Sequence, residues 1–361
     1  MKASIRALCA LAGMLAAPAA MAQSGVQIYG ILDTGIEYIN NVNAEGDSVV
    51  KVPSITGTVP SRLGFKGAED IGGGNQVFFV LENGFGVDTG GLQQGGRLFG
   101  RLAHIGVKGS WGALTLGRQF NMTTFAIKND VMGPNIYAIG SIDAYLPNAR
   151  SDNALGYMGN FDGLIVGATY SVGRDASNAG GPAATNCAGE VPGNATACRQ
   201  YTALFGYESK AWGLNVSYDR MYGHTGAAFG LTSSANTDEH TTGNGYVMLG
   251  TTKVAAGVIA RETNAATGLT ESTMIYVGAS HPVGGFILEG QWIGFNQKNS
   301  DNDATMLVAR VLYPLSKRTT AYATVGTLDN KGSAALPLEA GGAVGAGLRQ
   351  SGVMLGVRHN F

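Results

Sequence analysis

Arg62, Lys66, Arg101, Arg118 and Arg150 place basic side chains along one stretch of the chain, and Asp130, Asp143 and Asp152 lie among them. Arg97 is a further candidate in the same stretch. A guanidinium stays charged at any relevant pH and presents a planar fork of donors. Such residues suit holding or steering anions, not shuttling protons. Proton and nucleophile chemistry has little to work with. The five histidines, His104, His224, His240, His281 and His359, are scattered and form no H-E-x-x-H pattern. No G-x-S-x-G elbow occurs. Asp238, Glu239 and His240 make one compact acid–histidine group, which a solvated polar loop accounts for.

The segments that carry these charges begin with a recognisable leader. Lys2 and Arg6 precede an apolar run, and Ala20-Met21-Ala22 is a small-x-small cleavage site, so residues 1–22 read as a secretory signal. Its removal leaves 22 basic against 25 acidic residues, a balance of −3. That excludes the strongly basic face that nucleic acid requires. Cys187 and Cys198 are the cysteines beyond the leader, and both fall in one long polar stretch. In an exported chain such a pair is expected to close as a disulfide. Two thiols with no further histidine or cysteine nearby make a poor metal site, and neither metal nor cofactor is expected.

Charged residues are 14% of the chain while hydrophobic ones are 45%, and glycine occurs 56 times. An exported chain this apolar raises the question of where the apolar residues lie. Beyond the leader they do not form a spanning helix, which needs about 20 consecutive apolar residues; the longest run after residue 22, Val254 to Ala260, has seven.

They lie instead at every second position. In 26–39, Val26, Ile28, Leu32, Ile36 and Tyr38 share one face, and Gln27, Asp33 and Glu37 the other. In 61–67, Leu63 and Phe65 oppose Arg62, Gly64 and Lys66, and in 305–313 Arg310 sits on one defined face. Alternation of this length predicts strands. Sixteen are expected, at 26–39, 58–67, 76–85, 97–109, 113–120, 150–158, 164–172, 200–208, 213–222, 243–252, 253–262, 271–281, 286–295, 304–314, 319–328 and 351–361. Short glycine-bearing turns alternate with long polar stretches, among them 40–58, 121–149 and 173–199. Loops that long are unusual in a compact soluble domain. They suit an all-β transmembrane barrel, antiparallel and up-and-down, with short turns at one rim and long loops at the other. Residues 23–361 then form one unit. The strand 351–361 must pair with the first to close the ring, with Val353, Leu355, Val357, His359 and Phe361 facing lipid.

Four stretches resemble the general porins of Gram-negative outer membranes, of the Neisseria and beta-proteobacterial type. They are VQIYGILDTGIEY, SRLGFKGAEDIGGGNQVFFVLENGF (61–85), LFGRLAHIGVKGSWGALTLGRQF (98–120) and GVRHNF. The resemblance implies a passive channel for small hydrophilic solutes and ions, a sixteen-stranded barrel, a homotrimer and a third outer loop folded into the pore. It implies that arginines at Arg62, Arg101 and Arg150 stack along the constriction wall; by strand parity Lys66 faces inward with Arg62, and Arg118 lies near the top of the strand expected over 113–120. Asp130 and Asp143 in the loop, and Asp152 just beyond it, would supply the opposing charge. The balance of such a constriction favours anions. Outer-membrane lipid and lipopolysaccharide would surround it. The enterobacterial Pro-Glu-Phe-Gly loop signature is absent; Gly133-Pro134-Asn135-Ile136 stands in the loop instead. A barrel enzyme and a barrel acting as adhesin or surface receptor are the competing readings.

Overall fold

The computed structural model describes residues 25–175, 184–339 and 341–361. The leader assigned to 1–22 lies outside them. The first strands are β1 (Gln27–Ile39), β2 (Val49–Lys51), β3 (Arg62–Gly72), β4 (Asn75–Gly84), β5 (Leu102–Gly109) and β6 (Gly112–Phe120). After a long connection come β7 (Arg150–Phe161), β8 (Leu164–Ser171), β9 (Gln200–Glu208), β10 (Trp212–Tyr222), β11 (Thr237–Leu249) and β12 (Thr252–Ala265). The last are β13 (Gly268–Val283), β14 (Phe286–Gln297), β15 (Ala304–Pro314), β16 (Thr319–Asn330) and β17 (Arg349–Asn360).

Consecutive wall strands pair antiparallel, and β1 pairs with β17 from Ile31↔Asn360 to Ile39↔Gly352. Sixteen strands therefore close a ring. The seventeenth, β2, adds a three-residue pairing at Glu37–Ile39 of β1. Closure leaves no edge whose N–H and C=O groups would need a partner that lipid cannot offer.

The alternation sorts the side chains as the sequence expects. On β1, Ile28 and Ile36 are each 61% exposed while Asp33 and Glu37 are buried on the other face. On β15, Leu307, Val311 and Tyr313 are exposed, and Met306, Val308 and Arg310 are buried. On β17, Val353, Leu355, Val357 and Phe361 are exposed and Met354 is fully buried. In water such an apolar exterior would cost about 25 cal/mol per Å². In a bilayer it is the belt that holds the barrel.

Several boundaries differ from the sequence reading; the strand expected over 58–67 runs from Arg62 to Gly72. The strand expected over 97–109 opens at Leu102, because Arg97 to Gly100 turn before it. The strand expected over 243–252 opens at Thr237. Its first residues, Thr237 to Thr242, are polar on both faces and carry no period-two signal.

The connection between β6 and β7 holds two short helices, α1 (Met122–Ala126) and α2 (Ile139–Ile142), and one 3-10 turn (Leu146–Asn148). The Asn121 side chain caps α1 by accepting from Thr123 N–H. Ile127, Met132, Ile136, Tyr137 and Ile139 pack in one cluster with Ile259, Tyr276, Ile293, Met306 and Tyr322 of the wall. Those wall residues lie on the face opposite the exposed belt.

Candidate functional site

Arg62 opens β3, Arg101 directly precedes β5 and Arg150 opens β7. Glu82 of β4 ties the first two together. Arg101 Nε donates to its Oε1 at 2.6 Å, Tyr29 donates to Oε2 at 2.9 Å, and an Arg62 amine lies 4.0 Å from Oε1. Arg62 Nε also donates to the Pro60 carbonyl at 3.1 Å. Arg150 is 2% exposed, lies 4.7 Å over the Phe120 ring and donates to the Pro147 carbonyl at 3.2 Å. Its Nε has no hydrogen-bond partner among the described residues. The charges that act on it are Arg101, Arg118, Glu82 and Arg62. Arg62 and Arg101 thus converge on one carboxylate, Glu82, while Arg150 feels that charge together with those of the other arginines. Asp33, the next acid acting on Arg62, is already engaged by Thr58, the Val59 N–H and Tyr322. Like charges held together out of water repel strongly, and an anion passing them relieves that repulsion.

Lys66 is not part of this group. It is exposed and sits 5.0 Å over the Tyr29 ring. Four residues along β3 separate it from Arg62, about 13 Å at the strand rise.

Arg118 and Asp152 differ from the expectation as well. Arg118 ion-pairs with Asp152 and donates Nε to the Gly100 carbonyl at 2.7 Å. Arg97 bridges Asp152 at 3.2 Å and Asp175 at 2.5 Å, and Arg174 adjoins Asp175 at 3.6 Å. Asp152 therefore neutralises arginines beside it instead of opposing them from across the channel. The reason is its place on β7, which pairs directly with β6, the strand of Arg118.

Of the loop acids, Asp143 is locked and Asp130 is not. Asp143 receives Arg261 and His240 at 3.1 Å each and the Tyr145 N–H at 2.9 Å. Burial alone would raise its pKa; Arg261 and His240 outweigh that and hold the carboxyl below the usual carboxylate range. Tyr145 stacks on His240 with ring centres 4.6 Å apart. The group Asp238-Glu239-His240 is accordingly no solvated loop. It lies in β11, with Asp238 and His240 buried and Arg261 held on Asp238 by two 3.0 Å bonds. Neither carboxylate oxygen of Asp130 has a hydrogen-bond partner in bonding geometry among the described residues. Burial pushes it up to about 7, against the pull of Gln291 and Arg310.

Sequence reasoning passed over Glu82, Arg261 and Arg310. Glu82 was within reach, since it is the sole acid in the strand expected over 76–85. Cys187 and Cys198 are joined by a disulfide. Among the described residues, no group of three or more histidines, cysteines or acids is disposed to hold a metal.

The closed barrel, its outward apolar face and its arginine-rich inner face narrow the molecule's relatives to one class. A model of the Gram-negative porin family matches residues 7–333. Outer membrane porin protein 32 of Delftia acidovorans is 31% identical over 99% of each chain. The solved structure of an anion-selective porin from Comamonas acidovorans has a TM-score of 0.75 at 25% identity, covering 94% of this chain and all of that one. OmpT of Vibrio cholerae, described in a trimer form, shares the fold at 15% identity, with a TM-score of 0.66 over 94% of this chain and 99% of that one. The chain belongs to the Gram-negative porin family. It is a passive diffusion channel of the outer membrane, which it crosses many times with strands. Its relatives are porins, channels rather than enzymes, and they do not support a main role as adhesin or surface receptor.

Proposed function

We propose that Arg62, Arg101 and Arg150 form one side of the channel's narrowest point and give small hydrophilic anions the advantage over cations. One observation carries this: Arg62 and Arg101 converge on one carboxylate, Glu82, and the buried Arg150, on which both arginines act, has its Nε left without a partner among the described residues. Segment 121–149 lies inside the barrel in this reading and narrows the path. Its contacts with wall residues of the face opposite the lipid belt support that placement. Asp143 is fixed in place by Arg261 and His240, and it shares Arg261 with Asp238. Lys66 sits apart from the narrow point and acts at most on ions already leaving it. Residues 1–22 direct export and 23–361 form the barrel. The working unit is a homotrimer, in line with the trimer form described for the Vibrio relative, set in lipid and lipopolysaccharide.

The test is the zero-current potential of purified channels across a KCl gradient. The unmodified protein should give an anion-selective potential and conductance steps in threes. Arg101→Gln with Arg150→Gln should lower the anion-to-cation permeability ratio roughly threefold or more, because the charge lining the narrowest point sets selectivity. A cation-selective unmodified channel, or an unchanged ratio in the double variant, would sink this assignment.

A further inference from the structure

Arg310 of β15 belongs to neither arginine group and is 6% exposed. On the wall it faces Glu289 of β14, its direct cross-strand partner. Nε donates to Glu289 Oε2 at 2.7 Å, and a terminal amine lies 2.6 Å from the same oxygen. Its other donors leave the wall. One terminal amine donates to the Gly57 carbonyl at 2.6 Å and the Met132 carbonyl at 3.2 Å; the other donates to the Val131 carbonyl at 3.3 Å. A single guanidinium therefore ties β14 and β15 to two separate connections, the one after β2 and the one between β6 and β7.

Neighbouring bonds reinforce the junction. Met132 N–H donates to Gln291 Oε1 at 3.3 Å, and the Asn135 amide donates to the Thr58 carbonyl at 2.5 Å. Residues 131 and 132 are in bends, with no ladder to take up their carbonyls. Buried carbonyls need donors, and a planar five-donor fork can serve three of them and a carboxylate at once. A lysine ammonium has three donors and no such plane.

We propose that Arg310 is a positioning residue that sets the channel's narrowest width, by pinning residues 131–132 and Gly57 to the β14–β15 wall. This rests on the reading that segment 121–149 narrows the path. Without the pin, the middle of the segment would move with respect to the arginines opposite, and the width at that point would fluctuate.

Arg310→Met removes the donors but leaves Glu289 buried without its partner, which is itself destabilising. The double variant Arg310→Met with Glu289→Gln removes both charges and keeps the barrel testable. Heat-modifiable gel mobility reports whether the barrel is closed. For folded double variant in planar bilayers, single-channel conductance should rise roughly 1.5-fold and open-channel noise several-fold, since the narrowest point controls the current. Arg310→Lys should fall between the two. Unchanged conductance and noise in folded double variant would overturn the proposal. A separate probe tests the reading beneath it. Ala144→Cys, on the same segment, is modified with a bulky charged thiosulfonate, to which the disulfide-bonded Cys187 and Cys198 are inert. A block of current supports the segment's place in the path. No block sinks that reading and the proposal with it, whereas a block together with unchanged noise sinks the role of Arg310 alone.

Discussion

Asp130 is the carboxylate in segment 121–149 whose charge is least secured. Arg310 and Lys253 are the cations that act on it, yet burial dominates and pushes it up to about 7. In the unfolded chain an aspartate titrates near 3.9. Between these values the folded state keeps a proton that the unfolded chain has released, so this residue makes stability fall as pH rises through the window. For transport the sign is equally definite. As pH falls through about 7 one negative charge leaves the segment, and the anion-to-cation ratio should rise. Zero-current potentials at about pH 6 and pH 8 read this directly. Asp130→Asn should fix the ratio near its acidic value and remove the difference. A wild-type ratio that is flat across that range, or an equal slope in the variant, would show that Asp130 does not carry the response. Asp143 should not contribute. Arg261 and His240 hold its pKa down, so it stays charged across that range. The stability it lends is present above its unfolded value and is lost only in strong acid.

The strands were the legible elements, because a wall wet on one side and greasy on the other must alternate every second residue. Where both faces are polar the signal vanishes, and the period-two pattern opens β11 only at residue 243, although the strand starts at Thr237. The site was legible only in part. Arg62, Arg101 and Arg150 were assigned to one wall, but Arg118 and Asp152 are spent on each other. Arg310 could be placed on a face from its strand, whereas its acceptors are backbone carbonyls in irregular segments and leave no mark in residue type. The disulfide element offers a cleaner prediction. Cys187 exchanges backbone bonds with Asp175, and the Cys198 carbonyl accepts from Arg174 N–H. The pair packs with Met221, Ala227 and Leu231 in a small cluster of its own. Closing a loop of sequence separation 11 constrains the unfolded segment by about 3 kcal/mol in the chain-entropy account. Cys187→Ser with Cys198→Ser should therefore raise the rate of proteolysis within 173–199, while the heat-modifiable mobility of the barrel stays as it was. Loss of the folded barrel band would mean that the loop is part of the cooperative unit.

The whole molecule depends on a single seam, because fifteen of the sixteen wall junctions join neighbours in sequence and the last joins β1 to β17. At the middle of that seam Gly35 faces Gly356. A Cβ on Gly35 would stand 2.5 Å from the Leu355 carbonyl oxygen and 3.1 Å from the Gly356 Cα, both backbone atoms that no rotamer change can move away. Glycine is required there by the approach of the two chains, not by an unusual φ. Gly290 of β14 gives the control, since its added Cβ would meet nothing nearer than the Val308 oxygen at 3.8 Å, an ordinary contact. Forcing an extra methyl into a close-packed junction costs about 1–3 kcal/mol. In a ring the strain cannot be shed at a free edge, and lipid offers no substitute for a lost ladder bond. Gly35→Ala should thus lower the temperature at which the compact gel band converts to the unfolded one, and Gly290→Ala should leave it in place. Equal shifts for the two would mean that the closing pair is no more demanding than any other junction in the wall.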